Sequence, residues 1–231
     1  EKKMEEMEVC FLMDRFGYMK LIDKNAYERN KEAVHNENKY VFNCMNTDKI
    51  CIFTDTGKMH TIKAVDIPLG RFRDKGTPVD NLSNYDSSQE RMLYVAPVGQ
   101  LRSDRLLFVT KTSMCKLVEG AEFDVAKRTI ASTKLADEDE LIFIGSASEM
   151  EQIVLQSHGG CFLRFLTQEV STMKKTALGV RGMKLADDDY LEHAYLLAGH
   201  QEYTISYHDK EYALNKVRLA KRDTKGIKPR I

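Results

Sequence analysis

The chain has 231 residues, 42% hydrophobic and 30% charged, with 35 basic side chains against 35 acidic ones. That composition suits a globular protein with a good core. No apolar run approaches the roughly 20 residues needed to cross a bilayer, no secretory leader opens the chain, and a neutral balance argues neither for nor against a polyanionic partner. The five cysteines (Cys10, Cys44, Cys51, Cys115, Cys161) are odd in number, scattered and without a Cys-x-x-Cys pair. They read as small hydrophobes of a reduced, cytoplasmic protein, not as a disulfide framework or a zinc site.

The sequence begins EKKMEEME, without an initiator Met, and residues 1–8 read as the remnant of a linker or preceding helix in a longer protein. Short β-type runs then follow: 9–13, 18–22, 40–45, 49–54, 92–98, 105–110, 140–147, 152–157, 161–166 and 203–207. They are rich in Val, Ile, Leu, Phe and Tyr and are separated by turn residues, and no 3.6-residue period persists, so the fold expected is all-β.

Five of these runs open hairpins of one outline: VCFLM-DRFG-YMKLI, CIFT-DTG-KMHTI, LLFV-TKTS-MCKLV, VLQ-SHGG-CFLRF and the degenerate TISY-HDKE-YALN. Gly17, Gly57 and Gly160 take the last turn position, where a left-handed backbone costs glycine little. Ser113 and Lys210 fill that position in the third and fifth copies. A second half also repeats: 127–144 read KRTIASTKLADEDELIFI and 174–194 read KKTALGVRGMKLADDDYLEHA. The units run roughly 9–48, 49–98, 103–147, 150–198 and 200–231. A hairpin, a basic loop and two more strands about an acidic turn make four short strands per unit, the size of a propeller blade.

Charge is distributed unevenly. Residues 216–231 hold seven basic side chains against Asp223 alone, leaving 28 basic and 34 acidic in the other 215. A basic end of this kind suits phosphate contacts. If equivalent loops recur around a rim, their cations form a path: Lys20 and Lys24; Arg71, Arg73 and Lys75; Lys116, Lys127 and Arg128; Arg164, Lys174, Lys175 and Arg181; Lys221, Arg222, Lys225 and Lys228. Gly76, Gly179, Gly182 and Gly226 lie in the same loops, where backbone N–H groups can approach phosphates closely. Such contacts read the nucleic-acid backbone and carry little sequence preference. Ordinary solvated surface is the competing reading of the same residues.

There is no tryptophan, so the marks of WD40 and kelch blades are missing. The units resemble the C-terminal domain of the A subunit of bacterial type IIA topoisomerases, DNA gyrase and topoisomerase IV. The resemblance rests on CIFTDTGKMHTIKAVDIPLGRFRDKGTPVDNL (51–82), QIVLQSHGGCFLRFLTQEV (152–170) and KKTALGVRGMKLADDDYL (174–191). It implies a β-pinwheel, propeller-like, of about five four-stranded blades with strands exchanged between neighbours and a basic rim for double-stranded DNA. It also implies a non-catalytic domain without cofactors of its own. The cleavage tyrosine, Mg²⁺ and ATP sites of such an enzyme would lie in the remainder of the A subunit, together with the ATPase B subunit.

Gyrase A subunits carry a box, Gln-Arg-Arg-Gly-Gly-Lys-Gly, in the first blade's loop; the matching stretch here, YERNKEAVHNENKY (27–40), has no glycine. Together with five units instead of six, this favours a topoisomerase IV-like domain that bends DNA over a gyrase domain that wraps it. A propeller used for protein interaction is the alternative of another class. No membrane partner is expected, and the isolated domain is expected to be a monomer.

Sharper features are discounted. Asp187, Asp188 and Asp189, with Glu192 and His193 nearby, read as a strand-connecting turn, as do Asp137 to Asp139, and not as a metal site. Ser157 and His158 are adjacent but no nucleophile elbow surrounds them, and no Walker A or Rossmann glycine pattern exists.

Overall fold

A computed structural model describes residues 3–230, and its elements recur repeat by repeat. The first repeat supplies β1 (Glu8–Met13), β2 (Tyr18–Ile22), two short helices, α1 (Lys24–Arg29) and α2 (Lys31–Glu37), and β3 (Tyr40–Met45). The second supplies β4 (Lys49–Thr54), β5 (Lys58–Lys63), β6 (Thr77–Pro78) and β7 (Met92–Pro97). The third supplies β8 (Arg105–Thr110), β9 (Met114–Glu119), β10 (Thr129–Ala131) and β11 (Leu141–Ser146). The fourth supplies β12 (Gln152–Ser157), β13 (Phe162–Leu166), β14 (Val180–Arg181) and β15 (Leu191–Leu197), and the fifth β16 (Thr204–Tyr207) and β17 (Lys210–Ala213).

The sheets do not coincide with the repeats. Their orders are β3-β1-β2-β6, β7-β4-β5-β10 and β11-β8-β9-β14, so the fourth strand of each comes from the following repeat. All pairings within these sheets are antiparallel. The fourth blade, β15-β12-β13, receives no fourth strand among the described residues, only isolated bridges of Leu219 to Arg164 and Ile227 to Phe162, and the fifth is the bare β16–β17 hairpin. Four-stranded blades are therefore three in number among the described residues, where the sequence suggested about five. Third strands touch in succession, β3 with β7, β7 with β11 and β11 with β15. They mark the inner side of the array. The donated strands β6, β10 and β14 lie at the opposite edge of each sheet, on the outer rim.

Burial explains why the central strands read as continuous apolar runs. A blade wedged between two others buries both faces, and alternate side chains go to different neighbours. In β4, Ile50 and Ile52 join Phe11, Met13 and Met19 of the first blade, while Cys51 and Phe53 join Leu106, Phe108 and Val118 of the third. Leu107 and Val109 then pack with Ile153, Leu155 and Phe165 of the fourth.

The first blade has no preceding neighbour within the described residues, and α1 and α2 cover its outer face. Ala26 and Val34 pack on Cys10, Leu12 and Ile22, and Asp23 caps α1 by accepting from Ala26 N at 2.7 Å. The sequence suggested only a loop here, because two helices of six and seven residues are too short to display a period. Residues 3–7 form no helix, and Met7 N donates to Asn46 Oδ1 at 3.1 Å. At the hairpin turns Gly17, Gly57, Ser113 and Gly160 all have φ between 75° and 90°. The fifth copy differs: His208 and Asp209 carry the positive φ values, and Lys210 already belongs to β17.

Candidate nucleic-acid interface

Each rim loop is anchored at two points on the hairpin of the preceding repeat. Leu69 bridges Leu21 and Thr77 pairs with Met19; Thr172 bridges Leu117 and Val180 pairs with Cys115; Leu219 bridges Arg164 and Ile227 pairs with Phe162. At the remaining junction Thr61 N donates to Arg128 O at 2.9 Å and Ile130 pairs with Met59. These pairings put Gly76, Thr129, Gly179 and Gly226 in one structural position and bring the basic loops 71–78, 124–131, 174–181 and 221–228 into register.

The register separates the expected phosphate contacts into groups. Five positions before the glycine stand Arg71, Lys174 and Lys221, and one position before it stand Lys75, Arg128 and Lys225; all six are exposed. Arg181 and Lys228 share a third row, two positions after it, and are exposed as well, as are Arg73 and Lys127. Two places break the rows. Leu178, 42% exposed, stands where the other loops have a cation. Asp124 opens the second loop, held by Arg102 Nε at 2.9 Å and Lys49 Nζ at 3.7 Å.

Other expectations need correction. Lys116 is 2% exposed, and its ammonium donates to Lys175 O at 2.8 Å and Ala177 O at 2.6 Å. Burial pushes its pKa down to about 8. It lies under the rim, out of reach of a phosphate, because it sits at the centre of a strand covered by the next repeat. Half-buried Lys20 is similarly engaged, donating to Phe72 O and, at 2.6 Å, to Asp74 O. Arg164 donates to Gln152 Oε1 at 2.7 Å and Val217 O at 2.8 Å. Arg222 turns inward to Glu169 O at 3.0 Å and Arg181 O at 2.7 Å. Lys175 is half-buried, and Lys24 is exposed on α1, away from the loop register.

The glycines also serve another purpose. A Cβ at Gly76, Gly179 or Gly226 would lie 2.6 Å from the carbonyl oxygen of Met19, Cys115 or Phe162, and all three have positive φ. They let the donated segment lie flat on the neighbouring strand. Gly182 faces inward too, with Leu155 Cδ1 2.5 Å from where its Cβ would stand. In the acidic turns Asp139 accepts from Thr112 N and Oγ1, and Asp189 from Gly159 N, which fastens each to an equivalent hairpin turn.

Residues 48–87, 104–148 and 151–198 match the model of a family described as the DNA gyrase C-terminal domain, beta-propeller. The chain belongs to this family.

Curated relatives of this domain include the DNA gyrase A subunit of Ureaplasma parvum, 25% identical over 236 residues, which span 95% of the chain and 28% of that protein. The DNA gyrase A subunit of Salmonella typhimurium is 31% identical over 144 residues, 62% of the chain and 16% of that protein. The chain thus spans less than a third of the length of these relatives. Among solved structures, the C-terminal domain of DNA topoisomerase IV superposes with a TM-score of 0.82 at 22% identity, covering 97% of this chain and 73% of that one. The DNA gyrase A C-terminal domain does so with 0.63 at 18%, covering 96% and 76%. At these identities the likeness shows the fold.

The exposed cations outside the sequence candidates include an equivalent pair, Lys134 and Lys184. They stand five residues after Thr129 and Gly179 in the register. Their signal was present: both begin the repeated Lys-Leu-Ala clause. Only the strand pairing, however, places that lysine beside the donated segment.

Proposed function

We propose that this domain binds duplex DNA along its outer rim through phosphate contacts and bends it, as the C-terminal domain of a topoisomerase IV-like A subunit. The observation that carries the reading is the register itself: Arg71, Lys174 and Lys221 in one row and Lys75, Arg128 and Lys225 in another, all exposed beside the donated segments. A duplex needs cations repeated along a path, and each neutralised phosphate releases condensed counterions. Bending a site of 20–30 base pairs costs on the order of 1–6 kcal/mol, which contacts on successive loops would offset. In this reading the domain is a non-catalytic part of a cytoplasmic ATP-dependent topoisomerase, working with the remainder of its A subunit, and with an ATPase B subunit.

The missing glycine box favours bending. A wrapping gyrase domain is the second reading, favoured by the curated relatives named above, both of them from gyrase. Mobility shift with random duplex tests the class: binding that weakens steeply between low and physiological salt is expected. No binding at low salt would point to a protein-interaction propeller instead. Minicircle topology separates the first two readings, because wrapping leaves a handed linking-number change and simple bending leaves none.

A further inference from the structure

One side chain projects between the two anchor points of every rim loop, and strand pairing identifies it as Lys20, His60, Lys116 or Leu163. The two lysines do the same thing. Lys20 reaches the carbonyls four and two residues before Gly76, and Lys116 those four and two residues before Gly179. Glycine lets the loop settle onto the strand, and the loop's carbonyls then turn inward, where water is largely excluded. A buried ammonium is tolerated there only because its donors are used.

Where the lysine changes, its surroundings change with it. At the second junction His60 replaces it and Thr129 replaces the glycine. His60 Nδ1 meets Thr129 Oγ1 at 2.9 Å and Nε2 meets Glu90 Oε2 at 2.8 Å. The two equivalent carbonyls, of Val125 and Lys127, accept instead from Lys49 Nζ at 2.7 Å and Thr61 Oγ1 at 3.3 Å. At the fourth junction Leu163 occupies the position, and Arg222 from within the loop fastens it.

We propose that Lys20 and Lys116 are positioning residues for the rim: each ammonium clasps the next repeat's basic loop and sets where that loop's cations stand. Lys20 would place Arg71, Arg73 and Lys75, and Lys116 would place Lys174 and Arg181. The inference rests on the DNA reading above and deepens it. These loops have almost no regular structure of their own, so without the clasp their cations would have to be ordered on binding, which weakens association. A clasped loop presents them ready-spaced.

The test is Lys116→Met and Lys20→Met, each followed by hydrogen exchange and by the salt dependence of duplex binding. Val9→Ala, a core change in the first blade, serves as the comparison of lowered stability. Lys116→Met should speed exchange locally in 173–181 and lower the salt slope by about 1–2 units, roughly 0.9 for each phosphate no longer neutralised, while Val9→Ala does neither. Lys20→Met should do the same for 70–77, and decides the question alone if Lys116→Met does not fold. Unchanged exchange in these loops overturns the clasp, and faster exchange with an unchanged slope overturns its positioning role. If the unaltered domain fails to bind duplex at all, the DNA reading has failed, and exchange alone decides whether the clasp exists.

Discussion

Arg181, in the strand donated to the third blade, meets Asp223 of the next rim loop with Nε 2.5 Å from Oδ1. The pair ties two loops of the rim together with a cation that the proposed DNA path needs. The hydrogen bond and charge of Arg181 hold the Asp223 carboxyl below the usual carboxylate range. A phosphate arriving at Arg181 competes with that carboxylate. Asp223→Asn removes the competitor and should tighten duplex binding at low salt by a few-fold, the modest effect expected of an exposed, screened pair. Fluorescence anisotropy with a labelled duplex measures it, and weaker binding would take Arg181 off the path.

The basic end splits into two classes of residue. Lys221, Lys225 and Lys228 are exposed, whereas Arg222 fastens its loop through Glu169 O and Arg181 O. Replacing the three lysines by Ala should lower the salt slope by up to about 3 units with little change in stability. Arg222→Ala should instead lower the thermal midpoint, because two backbone acceptors lose their donor. Equal effects from the two variants on both quantities would erase the distinction.

Glycine at the exchange point is demanded by backbone approach. Gly179→Ala sets a Cβ against Cys115 O at a φ of 104° and should cost at least about 1–3 kcal/mol for the left-handed backbone alone. Denaturant titration measures it. Ala at Gly159, whose nearest neighbour in place of a Cβ is the Asp189 carboxylate and whose φ is not positive, should cost less. A neutral Gly179→Ala would mean that the donated strand shifts freely.

Alkaline pH should unfold the domain, and Lys116 should oppose the trend. Burial pushes the Cys51 and Cys115 thiols and the Tyr40 and Tyr94 phenols up to about 12. Folded, these groups keep protons that the unfolded chain releases from about pH 9 to 10. Their contribution is whole below pH 9 and is lost as pH rises toward 12. Lys116, pushed down to about 8, has the opposite sign: between about pH 8 and 10.5 the unfolded chain binds more protons, so stability gains with pH. The neutral amine still has two N–H groups for its two carbonyls. Denaturant midpoints from pH 7 to 11 should therefore fall more steeply for Lys116→Met than for the unaltered domain, and parallel curves would contradict the low pKa.

By itself the sequence determined the hairpins, their left-handed turn positions and the repetition. These are local consequences of apolar runs, glycine and polar turn residues, and each is complete within a single hairpin. It also marked the basic loops and the acidic turns, since both recur in clear text at 127–144 and 174–194. Tertiary structure alone decided which repeat completes which sheet, because a two-residue strand such as β6 or β14 exists only through pairing with its neighbour. It also decided the role of each cation. Lys116 and Lys174 are the same chemistry in the sequence, but one lies at the centre of a strand roofed by the next repeat and the other on the roof. The difference arises from hydrogen bonds between residues 59 and 61 positions apart, which no local pattern encodes.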